Sequence, residues 1–238
     1  MRKYIPLALI IIAIIAISGC VSQNASGSGK IVNESRNASD FNQIDLNGAS
    51  EIILTQGNNE SVTIEAEDNI MPYITTSVSN KKLAINFNNG MPVPTKPVKI
   101  FITVKDLNAI NIAGAGKVNS DVLKVRDLTI GINGAGEVNL NSLNANSLKT
   151  TISGSGKMTA AGSVPNQNID ISGAAEYNAK DLISKKATIS INGAGKATIN
   201  ASNALDVLIN GGGTVDYIGN PKVTQKITGA GNVNKIQG

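Results

Sequence analysis

The phrase Ile112-Ala113-Gly114-Ala115-Gly116 is the first of seven related copies between residues 112 and 231 of this 238-residue chain. Aligned on the first glycine of each copy, the column consists of Gly114, Gly134, Gly154, Gly173, Gly193, Gly211 and Gly229. Their spacings are 20, 20, 19, 20, 18 and 18 residues. A period this regular is typical of a repeat architecture, in which each repeat stacks on the one before it.

The residues around the glycines alternate between apolar and polar types, which is the pattern of β-strands. The position two residues before the glycine is isoleucine in every copy: Ile112, Ile132, Ile152, Ile171, Ile191, Ile209 and Ile227. We therefore predict an all-β protein, a β-solenoid with about seven regular coils of 18–20 residues over residues 108–238. The isoleucines would form a continuous internal ladder, because stacked strands lie about 4.8 Å apart. The glycines would mark a corner or bulge that needs positive φ or a close approach of neighbouring coils.

Two outward-facing columns follow each glycine. The position three residues after it alternates in charge along the repeats: Lys117, Glu137, Lys157, Glu176 and Lys196. Opposite charges on neighbouring strands attract, so this column predicts a structural charge ladder rather than a ligand-binding stripe. The position five residues after the glycine is polar in every copy and includes Asn119, Asn139 and Asn178. It predicts hydrogen-bonded side-chain stacks, and it is also a candidate binding surface.

The first 19 residues are typical of a secretory signal peptide with a lipobox. Arg2 and Lys3 precede an apolar run over residues 5–17, and small residues precede Cys20. The apolar run is shorter than the roughly 20 residues that span a bilayer. Cys20 is the single cysteine of the chain, so it cannot form an internal disulfide, and we expect it to carry lipid as the mature N-terminus. The alternative is a free thiol beside an uncleaved anchor helix.

Residues 20–40 are rich in Ser, Asn, Gly and Ala, which predicts a lipidated N-terminus followed by a flexible tether. Five segments of the chain match the Asn-X-Ser pattern of N-glycosylation, which matters only in a host that glycosylates its exported proteins. Their asparagines are Asn24, Asn33, Asn37, Asn59 and Asn200.

Residues 41–107 form a less regular β-region that is continuous with the solenoid. One hairpin is predicted from residues 52–54 and 62–66, and a second from residues 74–78 and 83–87 around Asn80-Lys81. Residues 88–97 contain three prolines and predict a loop, and residues 98–104 predict a strand. This region is either a set of wider coils or a small sheet that caps the solenoid, because an uncapped end exposes a bare sheet edge.

Composition excludes several classes of function. Removal of Arg2 and Lys3 with the signal peptide lowers the formal net charge from +4 to +2, and no basic stripe suggests a nucleic-acid partner. The chain has no histidine, which excludes catalytic triads and zinc sites that depend on it. The carboxylates are scattered, and we expect no catalytic residue, no metal and no cofactor. Tyr177 stands in an apolar column, where we expect it to belong to the core.

Several segments in fixed order resemble the family called "putative auto-transporter adhesin, head GIN domain". The likeness rests on residues 41–46, on Gln56-Gly57 before residues 62–67, on residues 83–85, on the strand at 98–104 and on the repeated Gly-Ala-Gly or Gly-Ser-Gly phrases. It covers nearly all of residues 40–236 and implies an exported or lipid-anchored protein with a right-handed β-helix fold. The family brings no established catalytic residues. The one departure from its pattern is Ala175, which replaces a second glycine.

Together these features predict a lipid-anchored β-solenoid of the cell envelope with an adhesive or binding role. The expected partners are the membrane, through lipid on Cys20, and an envelope polysaccharide or a surface protein. An alternative is a structural scaffold that self-associates through its solenoid edges. A glycan-acting enzyme is a further alternative, which the scattered carboxylates disfavour.

Overall fold

The structure, a computed structural model, describes residues 26–237. The predicted signal peptide and Cys20 lie outside this range. In the described part of the chain, no helix is long and apolar enough to cross a membrane. Twenty strands and one short 3-10 turn, Met71–Tyr73, make up the regular structure there.

The strands are β1 (Ile31–Arg36), β2 (Gln43–Asn47), β3 (Glu51–Gln56), β4 (Ser61–Glu67), β5 (Ile74–Ser79), β6 (Lys82–Phe87), β7 (Lys99–Val104), β8 (Ala109–Gly114), β9 (Lys117–Ser120), β10 (Leu123–Lys124), β11 (Asp127–Gly134), β12 (Glu137–Asn144), β13 (Ser147–Gly154), β14 (Lys157–Ser163), β15 (Asn166–Gly173), β16 (Glu176–Gly193), β17 (Lys196–Gly211), β18 (Thr214–Ile218), β19 (Lys222–Thr228) and β20 (Asn232–Lys235).

Parallel stacking of these strands forms a β-solenoid, as the repeat period predicted. Face A consists of β6, β2, β8, β11, β13, β15, the 186–193 part of β16, the 204–211 part of β17, and β19. Face B consists of β7, β3, β9, β12, β14, the first parts of β16 and β17, β18 and β20. A short third side contains β10 and its equivalents.

The seven isoleucines of the repeat lie in one register on the inner side of face A. Six of them are buried, and Ile227 in the last coil is half-buried. Tyr177 is fully buried, and its hydroxyl donates a hydrogen bond to Gln167 Oε1 at 2.7 Å. The interior is therefore mainly an aliphatic ladder, with Phe41 and Tyr177 as fully buried aromatic side chains. The polar atom of Tyr177 is paired as burial requires.

The first glycine of each copy ends a face A strand at the corner that leads to face B, except Gly229, which directly follows β19. All seven have φ between +116° and +130°, a conformation that L side chains rarely adopt. A Cβ on Gly193 would also lie 2.5 Å from the carbonyl oxygen of Gly173 in the preceding coil. The positive φ and the close approach of the preceding coil therefore both favour glycine at this corner. Ala175 lies outside the positive-φ region and is buried.

The N-terminal region combines the two arrangements that the sequence left open. The β2–β3 segment is an additional coil inserted between the β6–β7 coil and the β8–β9 coil, because β2 pairs with β6 and β8 while β3 pairs with β7 and β9. Antiparallel strands then close this end of the solenoid, with β5 beside β6, β4 beside β7 and β1 beside β4.

One predicted hairpin forms and the other does not. The hairpin of β5 and β6 is present, and Asn80 and Lys81 at its turn both have positive φ. The hairpin predicted from residues 52–54 and 62–66 is wrong. β3 lies between two parallel neighbours, and β4 instead pairs antiparallel with β7. Both edges of β3 are occupied by other coils, so no edge remains for β4.

The prediction of a flexible tether up to Asp40 is also wrong, because β1 pairs with β4 along residues 31–36. The buried carboxylate of Glu67 fixes the chain before β1. It accepts hydrogen bonds from the backbone N–H groups of Gly29, at 2.6 Å, and Thr95, at 2.8 Å, and from the Thr95 hydroxyl. Backbone pairing and these charge-assisted bonds hold a segment whose side chains are mostly polar and exposed.

The two ends of the solenoid differ. At the C-terminal end, β19 and β20 each pair with one preceding strand among the described residues, so their other edges are open. Val223, Ile227 and Val233 are half-buried there, although their column equivalents in earlier coils are buried. The terminal coil also carries the exposed lysines Lys222, Lys226 and Lys235, of the kind that discourage edge-to-edge pairing.

Candidate functional site on the outer faces

The charged residues predicted from the repeat lie in one register on face B. The structure places Lys117, Glu137, Lys157, Glu176 and Lys196 side by side, one per coil. Lys117 Nζ lies 3.5 Å from Glu137 Oε1, and Lys157 Nζ lies 3.1 Å from Glu176 Oε2. Lys196 Nζ instead contacts Asp216 Oδ2 at 3.0 Å. The charged residues of face B thus pair with one another. Because these ion pairs are partly exposed, each contributes little to the free energy of unfolding.

The ladder extends further toward the N-terminus than the sequence analysis found. Glu51 lies beside Lys117 on one side and Lys99 on the other, and Glu65 lies beside Lys99. Glu51 stands three residues after Gly48 in the segment Asn47-Gly48-Ala49-Ser50, which is similar to the repeated glycine phrase, so the sequence contained a signal for it. The sequence contained no such signal for Lys99 or Glu65, because the strands of these two residues do not follow a glycine phrase.

The asparagines of the neighbouring column on face B bond within the protein. Asn139 Nδ2 donates to Asn119 Oδ1 at 3.0 Å and to Glu137 Oε1 at 2.8 Å, and Asn119 Nδ2 donates to Glu51 Oε1 at 2.8 Å. Asn178 Oδ1 accepts the backbone N–H of Lys180 at 3.4 Å. This column was a candidate binding surface in the sequence analysis, but its amides bind other groups of the protein and are half-buried.

These contacts hold several carboxylates in the charged form. The hydrogen bond from Asn139, with the charge of Lys117, lowers the pKa of Glu137. Burial alone would raise the pKa of Asp216, but Asn234 and Lys196 lower it overall. The Thr95 hydroxyl, with the backbone N–H groups of Thr95 and Gly29, lowers the pKa of Glu67.

We expect the solenoid to lose stability in acid. A carboxylate with a lowered folded-state pKa stabilises the fold above its unfolded pKa, and that stability is lost as the pH falls through the folded pKa. The melting temperature should therefore decrease as the pH falls from 7 to 3, with most of the decrease below the usual glutamate pKa of about 4.3. The variant Glu137→Gln should show a smaller decrease. A melting temperature that stays constant or rises over this range would contradict the expectation.

Face A presents a different surface, rich in uncharged hydroxyl and amide groups. Its outward-facing residues from β11 to β17 are Thr129, Gly131, Asn133, Lys149, Thr151, Ser153, Asn168, Asp170, Ser172, Thr188, Ser190, Asn192, Asp206, Leu208 and Asn210. Three of these are charged, and Asp206 pairs with Lys186 at 3.6 Å. Within the described chain, Asn133, Thr151, Ser153 and Thr188 form no side-chain hydrogen bond, so their polar atoms are available to a ligand.

Two depressions interrupt this flat face. The first has a volume of about 310 Å³ and lies where Ala113 and Gly131 replace larger side chains of their columns. A Cβ on Gly131 would lie 2.6 Å from Asn111 Oδ1, so the glycine lets Asn111 extend across the face and donate to Asp45 Oδ1 at 2.8 Å. A glycine on the outer side of a strand is typical of a position that a ligand or another backbone approaches closely.

The second depression lies at the beginning of the face A strands and has a volume of about 300 Å³. Lys149, Asn168, Lys186 and Thr188 are among its lining residues. No Phe, Trp or Tyr lines either depression. Both are therefore suited to shape and hydrogen bonding rather than to the stacking of rings.

The described residues present no arrangement that suggests catalysis. They contain no group of three or more His, Cys, Asp or Glu side chains that could hold a metal ion. Burial raises the pKa of the Tyr177 hydroxyl and removes it from solvent. The outer faces can bind by hydrogen bonds and shape, and we find there no nucleophile held beside a base.

Solved structures share this fold. An adhesin-like protein from Bacteroides fragilis, described as a "putative adhesin", matches with a TM-score of 0.85 and 27% identity over 89% of this chain and 99% of that chain. A Parabacteroides distasonis protein described as a "putative lipid binding protein" matches with a TM-score of 0.75 and 24% identity over 89% and 98% of the two chains. A "putative adhesin" from Parabacteroides merdae matches with a TM-score of 0.69 and 23% identity, with 89% and 98% covered.

At 24% and 23% identity, the two Parabacteroides structures show the fold alone. None of the curated proteins matches the chain. One family profile matches residues 40–221, which include the capping strands β4 and β5 and most of the glycine coils, whereas β1 lies before the matched range. The chain therefore belongs to the family described as "Putative auto-transporter adhesin, head GIN domain".

Proposed function

We propose that this protein is a lipid-anchored binding protein of the cell envelope, and that face A is its contact surface. The observation that carries the proposal is a set of face A side chains that make no side-chain hydrogen bond within the described protein, among them Asn133, Thr151, Ser153 and Thr188. Asn192 and Asn210, further along the same face, bond to each other at 2.9 Å. Equivalent groups recur from coil to coil at about the 4.8 Å spacing of stacked strands. The adhesin-like family supports an exported, non-enzymatic role.

The chemistry of face A favours a neutral, hydroxyl-rich polymer, such as an envelope polysaccharide, as the ligand. Asp45 is neutralised by Lys82 Nζ at 2.9 Å, so the first depression is close to neutral. Amide and hydroxyl groups both donate and accept hydrogen bonds, as sugar hydroxyls do. An extended polymer that lies along the solenoid axis would meet the same groups at each coil. A surface protein with a polar strand is the other partner that this face would suit.

Lipid on Cys20 would place the capped end of the solenoid close to the membrane. The described chain begins at Ser26, and Gly27 N already bonds to Val93 O at 2.8 Å. Cys20 lies six positions before Ser26, and a chain of that length spans at most about 20 Å when fully extended. Face A would then extend outward from a body held near the lipid surface, rather than from the end of a tether of about 20 residues.

A structural scaffold is the second candidate, and the open C-terminal coil supports it. Its unpaired strand edges and half-buried Val223, Ile227 and Val233 are features that a partner could cover. Its exposed lysines oppose this role, because a second copy docked end to end would bring Lys222, Lys226 and Lys235 of both copies together. Residues 219–237 contain no carboxylate side chain that could offset the repulsion. We therefore favour binding through face A over the role of a structural scaffold.

The proposal is tested with the mature chain carrying Cys20→Ser, which prevents lipidation, labelled with a fluorophore. We expect saturable binding to intact cells and to isolated polysaccharide of its source. Because hydrogen bonds and shape carry the interaction, binding should persist at about 0.5 M salt, where surface charges are strongly screened. Unlabelled protein should compete. Binding no greater than that of an albumin control would refute the proposal.

A further inference from the structure

The edge of the cap where β1 ends and β4 begins contains two Asn-X-Ser segments, Asn37-Ala38-Ser39 and Asn59-Glu60-Ser61. Antiparallel pairing of β1 with β4, which includes Arg36 opposite Val62, brings the two segments together. The backbone N–H of Asp40 donates to Glu60 Oε2 at 2.6 Å across the same gap. Two segments that are about 20 residues apart in sequence therefore share one small patch of surface.

Both asparagines are open to modification. Asn37 and Asn59 are exposed, as are Ser39 and Ser61 at the third position of each segment. Asn37 follows β1, and Asn59 lies in the turn between β3 and β4, so neither belongs to a strand. Of the side-chain hydrogen bonds formed in residues 26–237, none involves these four residues. Asn33 has the same pattern but lies inside β1, where pairing with β4 fixes the backbone, and we leave it out of the proposal.

Asn200 provides a contrast within the same chain. It has the Asn-X-Ser pattern but lies inside β17, half-buried between stacked coils. Its Nδ2 donates to the carbonyl oxygen of Lys180 at 3.2 Å, and the Ser202 hydroxyl bonds to Asn203 Oδ1 at 2.7 Å. The atoms that a glycosyl transfer would need at Asn200 are thus engaged, whereas the corresponding atoms at Asn37 and Asn59 are not.

We propose that Asn37 and Asn59 are N-glycosylated and that Asn200 is not. The donor would be an oligosaccharide linked to a lipid phosphate. The asparagine Nδ2 forms a bond to the anomeric carbon of the sugar, the bond from that carbon to the phosphate oxygen breaks, and the lipid phosphate leaves with the electron pair. Nδ2 loses one proton, so the transfer is balanced without an oxidant or reductant. The proposal rests on the export that the proposed function requires.

Glycans at this patch would protect the capped end of the solenoid. Among the described strands, β1 pairs only with β4, so its other edge is free and carries the exposed side chains of Asn33, Glu34 and Ser35. Free edges invite pairing with other chains. Bulky hydrophilic chains beside β1 would block such pairing while leaving face A uncovered.

The test uses the full chain purified from its own source, with intact mass measurement and mapping of modified peptides. We expect the mass to exceed that of the lipidated, processed polypeptide by two glycans, which peptide mapping should locate on Asn37 and Asn59. Ser39→Ala, which removes the hydroxyl but keeps the asparagine, should lower the mass by one glycan, whereas Ser39→Thr should not. Asn59→Gln should remove the other glycan, and Asn200→Gln should leave the number of glycans unchanged.

A protein recovered from the outer side of the source membrane without any glycan on Asn37 and Asn59 would overturn this inference while leaving the proposed function intact. A glycan on Asn200 would overturn the structural argument, because it would show that buried and engaged segments are modified as well. Glycosylated protein that fails to bind source cells would instead refute the proposed function and leave this inference standing.

Discussion

Gly193→Ala should lower the free energy of unfolding by about 3 kcal/mol, since it forces a side chain into a strained conformation and overpacks the corner. The φ of Gly193 is +130°, which disfavours any L side chain. Its new Cβ would also approach the carbonyl oxygen of Gly173, a backbone atom fixed by the ladder between the two coils. Neither problem can be relieved by rotating a side chain, so the corner must distort in both coils. Urea unfolding followed by circular dichroism measures the loss.

Gly212→Ala is the matched control in the next coil. Gly212 lies at the same corner, one residue after Gly211, but its φ is not in the positive region and a Cβ there would meet no atom within 4 Å. We expect a change of less than about 0.5 kcal/mol, because replacing glycine at a compatible site mainly reduces the entropy of the unfolded chain. Equal unfolding midpoints for the two variants would show that the corner does not depend on glycine in the way described.

The regular coils could be predicted from the sequence because all residues in one column of the aligned repeats have the same structural role. Each isoleucine two residues before a glycine lies inside, and each charge three residues after it lies outside on face B. A repeat that stacks in register converts a sequence column directly into a row of neighbours. The same reasoning placed Tyr177 in the core, where it is fully buried.

The N-terminal region could not be predicted in the same way, because its strands pair out of sequence order. β2 and β3 lie inside the stack, between coils that follow them in the chain, so local hairpin signals led to a wrong partner for β4. The segment 31–36 has a polar, linker-like composition, yet it forms β1. Its order depends on β4 and on the buried Glu67, contacts from residues more than 25 positions away.

The sequence favoured the asparagine column of face B as a binding surface, whereas the proposal assigns binding to face A because the face B asparagines already have partners within the protein. Polar columns on both faces look alike in sequence. On face B, Asn119 and Asn139 bond to each other and to neighbouring glutamates, whereas Thr151 and Ser153 on face A bond to no side chain in the described protein. The alternation of the strand places Gly131 on the outer side, but the depression there also depends on the position of Asn111, which bonds to Asp45 in a neighbouring coil and could not be read from the sequence.

Thr151→Arg combined with Thr188→Arg should abolish binding to source envelope material, with at least a tenfold loss of affinity. Thr151 lines the first depression of face A, and Thr188 lines the second. Long arginine side chains would fill both and displace a neutral polymer from the flat surface between them. Both threonines are exposed strand residues, so we expect a change in stability within about 0.5 kcal/mol per site.

Thr159→Arg combined with Thr198→Arg is the matched control on face B. These threonines lie in the outward-facing column that contains Asn139 and Asn178. The control adds the same two charges to the same protein, so non-specific electrostatic effects are equal in both variants. Circular dichroism and melting temperatures of both variants establish that each remains folded before binding is compared.

The most direct measurement is the equilibrium binding of the unmodified protein and these two double variants to isolated envelope polysaccharide from the source, at the same salt concentration. Face A as the contact surface predicts that the face A variant loses binding at least tenfold while the face B variant binds within about twofold of the unmodified protein. Equal binding by all three proteins, or a loss confined to the face B variant, would contradict the assignment of function to face A.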